Sequence, residues 1–347
     1  MSEYQFFDFQ TIDRPLTEEE QAEIHKLSSR VLLTSTQAIF TYQFGDFHDR
    51  PEKVLEQYFD AMLYLANWGS RRLMFRFPKS LITLSQVQPY EVEDVVEFRE
   101  EGAYTILDIN FLEAGGVFWV EGEGRLSSLI QLRDDILRHD YRVLYLAWLK
   151  AISLNLLDKS EPEPPVPPGF RTLSSALQNF IDLFEIDKHL VAIATKVSGI
   201  QNQVSKSDLR KAIAQLSREE CEEYLFRLTQ GEPHLSIALT SHLFQVRSSP
   251  QFSLSKHRTV KQLLKEAERA REEEKWQRAL EAEQKRIQAL EALARREGEA
   301  WQEVERLIQK PSAKTYDEAV HLLSQLREVA SRHKQEDLFQ QRHVFAV

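Results

Sequence analysis

Residues 159–169 have the sequence KSEPEPPVPPG, and they divide the 347-residue chain into two stretches of different character. Five of the 12 prolines of the chain fall in this segment. A stretch of this kind adopts extended polyproline geometry, which predicts a semi-rigid spacer or a strap over a domain surface. Its PxxP spacing also fits a docking ligand, but the sequence favours a linker over 158–169.

Before the linker, residues 1–157 show strand and helix patterns in irregular alternation. Alternating or aromatic runs predict strands at 4–9, 37–44, 72–77, 95–98, 104–111 and 117–120. Capping signals and apolar spacing predict a helix after Thr17, helices over 126–137 and 141–157, and a helix from Asp49 with the buried stripe Val54, Leu55, Tyr58, Phe59, Met62 and Leu65. This order favours an α+β domain over a doubly wound parallel sheet.

After the linker, the pattern is helical throughout. Apolar spacing and a capping box at Ser217 and Glu220 predict a helical domain over 170–250. From residue 258 to residue 309 the chain has no proline and one glycine, Gly298, together with many charged pairs at i,i+4 spacing. Such a segment predicts a long helix, of roughly 75 Å if unbroken. It would form the first part of an arm over 256–347.

The long helix carries an incomplete coiled-coil pattern. Apolar residues recur every seven positions at Leu280, Ile287, Ala294, Trp301 and Ile308, but glutamates occupy half of the second seam, at Glu283 and Glu297. Because a two-stranded coiled coil needs two apolar seams, we expect this helix to pack on a helix of its own chain. The segment 317–333, with Val320, Leu323, Leu326 and Val329, is the expected partner in a helical hairpin.

Composition excludes several classes of protein. Hydrophobic residues make up 42% of the chain, which is enough for real cores and excludes a wholly disordered chain. No apolar run of 18 residues exists, so no membrane span or membrane partner is expected. The start of the chain lacks a signal-peptide pattern, and Cys221 is the sole cysteine. We therefore expect a cytoplasmic protein without disulfides.

Charge is unevenly distributed along the chain. From residue 251 onward there are 19 Lys and Arg and 17 Asp and Glu, a net charge of +2, so the rest carries −10 − (+2) = −12. An acidic protein is repelled by nucleic acid, which leaves only the C-terminal third as a place for local contact. The basic stripe Arg258, Lys261, Lys265 and Arg269 is the candidate for that alternative.

No group of residues predicts a catalytic, cofactor or metal site. Asp46, His48 and Asp49 have metal-binding side chains, but a turn followed by a helix cap at Asp49 explains them better. The loop Gly122–Gly124 precedes a helix, as phosphate loops do, yet Glu123 would repel a phosphate. The neighbouring Asp134 and Asp135 point about 100° apart on a helix and cannot share a proton. Cys221 lies among four glutamates that disfavour a thiolate.

Several segments resemble a family of uncharacterised bacterial proteins from cyanobacteria, actinobacteria and other groups. The matching text is YQF at 4–6, DRPL at 13–16, YFDA at 58–61, ANWGSRRLM at 66–74, LYLAWL at 144–149 and the proline-rich segment that ends at Gly169. The resemblance covers most of the chain and implies no catalytic residues.

The tail has a resemblance of its own. The segment YDEAV at 316–320, followed by LLSQLR at 322–327, is similar to the tail of bacterial SWIM zinc-finger proteins, although their zinc ligands have no counterpart here. The resemblance implies a shared docking element, and a SWIM zinc-finger protein as a candidate partner. We expect an interaction or scaffold protein that docks a partner protein through Leu323, Leu326 and Phe339. The alternatives are a nucleic-acid-associated factor and an enzyme of unidentified class with its site in the first domain.

Overall fold

The computed structural model describes residues 4–43, 45–112, 122–200, 206–245, 258–309 and 312–346. These residues form two compact units, one up to Ala267 and one from Glu268 onward. The first contains an antiparallel sheet with helices, and the second is helical. The predicted α+β class with a helical C-terminal part is therefore confirmed. The division into domains at the proline-rich segment stays a prediction, and the predicted strand at 117–120 lies outside the described residues.

The sheet has seven strands in the order β2-β3-β1-β4-β5-β7-β6, and all of its pairs are antiparallel. β1 pairs with β3 on one side and with β4 on the other. The strands are β1 (Gln5–Gln10), β2 (Leu32–Leu33), β3 (Gln37–Tyr42), β4 (Ala61–Ala66), β5 (Arg71–Pro78), β6 (Val96–Glu101) and β7 (Tyr104–Phe111).

Ten helices of the described chain precede the arm. They are α1 (Glu18–Leu27), α2 (Pro51–Tyr58), α3 (Leu84–Val87), α4 (Gln131–Leu137), α5 (Arg142–Ser153), α6 (Ser175–Leu183), α7 (Lys188–Val197), α8 (Lys206–Ile213), α9 (Arg218–Thr229) and α10 (Leu235–Gln245). The capping boxes predicted for α1 and α9 are both present. The helix predicted over 126–137 is a 3-10 turn followed by α4.

The prediction for the segment after Asp49 was wrong in two respects. The N-cap of α2 is Arg50, and Asp49 instead accepts a hydrogen bond from the Arg50 N–H through Oδ1 (2.7 Å). Met62 and Leu65 belong to β4, because the chain turns extended at Phe59 and the Asp60 N–H donates to the Gln10 carbonyl at 2.9 Å. An apolar run buried on both faces of a sheet has no period that distinguishes it from a helix.

Helices cover both faces of the sheet. Because strand side chains alternate, β1 directs Phe7 and Phe9 to a core with α1 and α2 and directs Phe6 to a second core with α5, α6 and α7. Helix α5 lies at the centre of the second core, where it is buried from Arg142 to Ile152. Helix α6 belongs to the same core, since the Phe184 that follows it packs on Phe111 of β7 with ring centroids 5.8 Å apart.

The proline-rich segment is a strap on this core. The Glu163 N–H donates to the Arg258 carbonyl (2.7 Å), and the Val260 N–H donates to the Glu161 carbonyl (3.0 Å). The buried Glu163 carboxylate accepts hydrogen bonds from Tyr145 of α5 at 2.5 Å and from Arg258 at 2.7 and 2.8 Å. The backbone bonds and the buried Glu163 carboxylate therefore fix the strap to the core of the first unit. A spacer between independent domains would not need such contacts.

The arm consists of α11 (Val260–Arg295), α12 (Glu297–Ile308), α13 (Ala313–Arg332) and α14 (Glu336–Ala346). The long helix breaks at Arg296, whose φ of −117° and ψ of 29° are not helical, so α11 has 36 residues and a length of about 54 Å. Helix α13 begins four residues earlier than predicted, at a cap formed by Ser312. Helices α12 and α13 pack on each other as the hairpin model predicts, and α14 joins their core through Phe339.

Candidate partner-binding groove

An open apolar groove of about 510 Å³ lies on the second unit. It is formed by the end of α12, one face of α13 and the first half of α14. Its apolar lining consists of Ile308, Tyr316, Ala319, Val320, Leu323 and Phe339, and its polar lining consists of Ser324, Arg327 and Gln340.

Helix α13 has two apolar faces, and the described residues cover only one of them. Leu326 and Val329 are buried against α12 and the end of α11. Tyr316, Val320 and Leu323 follow each other at i, i+4 and i+7 and so share a neighbouring face. Tyr316 is 67% exposed and Val320 is 49% exposed. Contiguous apolar side chains that remain open to solvent on a packed helix mark interaction surfaces more often than scattered ones do.

The floor of the groove is held by an aromatic pair. Phe339 of α14 packs on Trp301 of α12 with ring centroids 5.5 Å apart. The Trp301 Nε1–H donates to Glu297 Oε1 at 3.2 Å, and Arg342 of α14 donates to the same oxygen at 3.3 Å. These contacts connect α14 to α12 and keep Phe339 beneath the open face of α13, so the groove exists before any partner is bound.

The groove carries a positive charge at its rim. Arg327 is exposed, and within the described residues it forms no ion pair. The next charged residue, Glu328, points to the other side of α13, where it binds Arg286 of α11 at 2.5 Å. This interaction raises the pKa of Arg286. Arg327 is thus available to a carboxylate on whatever enters the groove.

The three residues predicted to bind a partner take different positions. Leu323 lines the groove and is half-buried, and Phe339 forms the groove floor. Leu326 is only 2% exposed and holds α13 on α12, so it supports the groove from the core. Sequence reasoning did not name Tyr316, and it expected Val320 to pack in the hairpin, where the structure leaves it 49% exposed. Their i, i+4 and i+7 spacing with Leu323 is the signal that would have found them, because it forms a second apolar stripe beside the core stripe.

The basic stripe is reduced from four residues to three. Arg258 precedes α11, and its guanidinium is engaged by Glu163 and by Glu266 at 3.0 Å, so it is not free to bind a phosphate. Lys261, Lys265 and Arg269 are exposed on α11. The first two lie beside the buried residues of the helix start, Val260, Leu263 and Ala267.

The groups considered for metal or phosphate binding serve other roles. Asp46 accepts a hydrogen bond from Gln5 (2.9 Å), and in the described parts of the chain no group of three or more His, Cys, Asp or Glu side chains could hold a metal ion. Gly124 has a φ of +75°, as a tight turn requires. A Cβ on Gly122 would lie 2.3 Å from the Phe6 ring, so this glycine allows close packing. Burial, followed by the charge of Asp140, raises the pKa of Asp135.

A buried ionic network in the first unit connects the residue before β4 with β5 and α4. Asp60 accepts hydrogen bonds from the Ile12 N–H at 2.6 Å, the Asp13 N–H at 2.9 Å and Arg76 Nη2 at 2.8 Å. Burial alone would raise the pKa of Asp60, but these bonds lower it below its usual value. Arg133 donates twice to Asp13 at 2.8 Å. Each of these charged side chains has a partner within the network, and removal of one partner would leave a buried charge uncompensated.

A second, shallower cleft of about 470 Å³ lies beside the edge strand β6. Its backbone is already closed by the preceding segment. The Val96 N–H donates to the Val92 carbonyl (2.8 Å), and the Phe98 N–H donates to Glu91 Oε1 (3.0 Å). An added peptide strand would have to replace both bonds, so this cleft is a weaker candidate than the groove of the arm.

Comparison of the chain with protein-family models, curated proteins and solved structures found no match. The resemblance to the uncharacterised bacterial family therefore stays a prediction. None of the helices in the described ranges combines the length and the apolar character that crossing a membrane requires.

Proposed function

We propose that this protein is a non-enzymatic interaction or scaffold protein that binds a helical segment of a partner protein in the groove of its arm. The observation that carries the proposal is the uncovered apolar face of α13, where Tyr316, Val320 and Leu323 stand open above Phe339. A groove between packed helices suits the apolar face of a third helix with anchors at i, i+3 or i+4, and i+7.

The charge at the rim specifies the partner further. Arg327 is exposed beside the apolar lining and has no ion pair among the described residues. A carboxylate placed one turn from the apolar anchors of the incoming helix would bind this guanidinium. The occupant we propose is therefore an amphipathic helix with an acidic flank. The resemblance of the tail makes a SWIM zinc-finger protein a candidate source of such a helix.

A charge exchange in the full-length protein tests the proposal. The probes are two synthetic amphipathic helices with the same leucine stripe, one flanked by glutamate and the other by lysine, followed by fluorescence anisotropy. We expect the glutamate peptide to bind at least tenfold more tightly, Val320→Asp to remove its binding, and Arg327→Glu to reverse the preference.

Leu338→Ser is the matched control, because Leu338 is exposed on α14 outside the groove lining. Equal binding of both peptides, or binding of the glutamate peptide that survives Val320→Asp, would refute the proposal. Nucleic acid as ligand is less favoured, because Arg258 is already held by two carboxylates.

A further inference from the structure

The middle of α11 exposes an apolar stripe. Trp276 is 61% exposed, Leu280 is 40% exposed and Ile287 is half-buried. Because an α-helix turns by about 100° per residue, Leu280 and Ile287 lie within about 40° of Trp276 around the helix, and the three side chains form one line. The core of the hairpin includes α11 only from Leu290 onward. Within the described chain, the stripe therefore stays open to solvent at Trp276 and Leu280.

Acidic side chains border the stripe on both sides. Glu272 and Glu283 lie on one side of its midline and Glu273 lies on the other, each within about 60° of that line. All three are exposed, and Glu272 and Glu273 form no ion pair among the described residues. Arg269 lies in line with the stripe at its N-terminal end, so one arginine against three glutamates leaves a net charge of −2.

The other cations of this part of α11 point away from the stripe. Lys275, Arg278 and Lys285 lie about 120° or more from its midline, and Arg278 is bound by Glu274 on the far side of the helix. Arg286 lies about 100° from the midline and binds Glu328 of α13 at 2.5 Å. In paired helices, the charges beside the apolar seam meet charges of opposite sign on the partner. An acidic border on both sides of the stripe therefore selects a basic partner.

Trp276 adds a second preference for a cation. Among aromatic side chains, the indole ring attracts a lysine or arginine placed over its face most strongly. This attraction comes from the ring itself and is independent of the glutamates. Two separate features of the stripe thus favour a positively charged ligand with an apolar side.

A second copy of this chain fits the stripe poorly. An antiparallel pairing that sets Trp276 of one copy against Leu280 of the other also sets Glu273 against Glu283, because both pairs are symmetric about position 278. A parallel pairing in register sets each glutamate beside the same glutamate of the other copy. Like charges so placed across an interface repel each other, which disfavours both arrangements.

We propose that this stripe of α11 is a second docking surface and that it binds a basic amphipathic helix of a partner protein. The apolar side of that helix would cover Leu280 and Ile287. Its lysine or arginine side chains would pair with Glu272 and Glu273 and stack on Trp276. The stripe lies outside the lining of the groove and has the opposite charge preference, so the inference does not depend on the proposed function.

The test uses the full-length protein and the same two synthetic helices, one with a lysine flank and one with a glutamate flank. We expect the lysine peptide to bind and to slow hydrogen exchange in residues 270–288 of α11. Trp276→Gln with Leu280→Gln should lower its affinity at least tenfold, and α11 should stay helical because glutamine is a good helix former. Glu272→Gln with Glu273→Gln should weaken binding several-fold and reduce its salt dependence.

Two control variants match these changes. Leu225→Gln with Leu228→Gln removes two apolar side chains of α9 that are 62% and 63% exposed, and it should leave the affinity for the lysine peptide unchanged. Glu281→Gln with Glu299→Gln removes the same charge from exposed positions away from the stripe, so it should weaken binding less than Glu272→Gln with Glu273→Gln does.

Unchanged affinity for the lysine peptide in the Trp276→Gln, Leu280→Gln variant would overturn the proposal, as would an equal loss in the α9 control or a preference of α11 for the glutamate peptide. Dimerisation of the wild type in sedimentation that this variant abolishes would assign the stripe to a second copy instead. If the variant fails to fold, Glu272→Gln with Glu273→Gln decides, because both side chains are exposed. The same affinity and salt dependence as in the Glu281→Gln, Glu299→Gln control would then reject the basic partner.

Discussion

Replacing Trp301 with alanine removes the largest side chain from the core of the arm. Trp301 is 6% exposed and packs among Leu290, Leu293, Ala300, Val304, Leu326, Val329 and Phe339. A buried Trp→Ala change lowers the free energy of unfolding by about 3 to 5 kcal/mol. The lower end applies to Trp301, because its indole N–H bonds the half-exposed Glu297 and this edge of the ring is near solvent. We therefore expect a loss of about 3 kcal/mol in the local stability of α12, α13 and α14.

The assay is hydrogen exchange of the full-length protein, because the chain has two units and a single melting curve would mix them. A loss of that size corresponds to exchange that is faster on the order of 100-fold in peptides from α12 and α13. Trp276→Ala is the matched control, since Trp276 is 61% exposed on α11 and its removal should change stability by less than about 0.5 kcal/mol.

The comparison of the two tryptophans is decisive for the hairpin. If Trp301→Ala leaves the exchange of α12 and α13 within a factor of about two of Trp276→Ala, Trp301 contributes nothing to a packed core and the arm is not a hairpin. Faster exchange confined to α14 would place the contribution of Trp301 in its contact with Phe339 alone.

Three further predictions concern the first unit. Burial raises the pKa of Asp8, so the contribution of this group to stability is present below its unfolded-state pKa and is lost as pH rises through its folded-state pKa. Asp8→Asn should therefore be more stable than the wild type at pH 7 and should lose that advantage near pH 4. Urea titrations at both pH values measure the difference. Asp60 has a lowered pKa, so its contribution to stability is present at neutral pH and is lost as pH falls through its folded-state pKa. Asp60→Asn should cost about 3 to 5 kcal/mol of unfolding free energy at pH 7, because it leaves Arg76 without its carboxylate partner. The difference in urea midpoint between variant and wild type should shrink in acid. Glu163→Gln should cost about 1 to 3 kcal/mol in local stability of the strap by hydrogen exchange, whereas Glu161→Gln, which uses only its backbone carbonyl there, should leave it unchanged.

The fold class could be predicted from the sequence because its signals are local. The strand at Tyr104–Phe111 and the capping boxes at Thr17 and Ser217 depend on residues close together in the chain, and all of them are confirmed. The assignment of Met62 and Leu65 failed because the turn at Asp60 is made by long-range partners, the Ile12 N–H and Arg76. A pattern of neighbouring residues cannot predict partners that are distant in the chain.

The candidate groove was predictable only in part, for a related reason. The apolar stripe of α13 indicates which residues can leave water, but it does not indicate which of them α12 covers. That choice depends on the hairpin register, which places Ile308 beside Tyr316 and pairs Arg286 with Glu328. The register buries Leu326 and exposes Tyr316, so the residue that sequence reasoning chose for contact became core and the one that it left out became surface.

Photocrosslinking in the source cell tests the docking role of the arm most directly. A photoreactive amino acid at position 320, in the groove, is compared with the same amino acid at position 338, outside it. We predict that position 320 alone crosslinks to one protein, at a peptide from a helix with an apolar stripe and an acidic flank, and that Arg327→Glu removes this crosslink. Crosslinking of position 320 to nucleic acid, or the same set of proteins from both positions, would contradict the account.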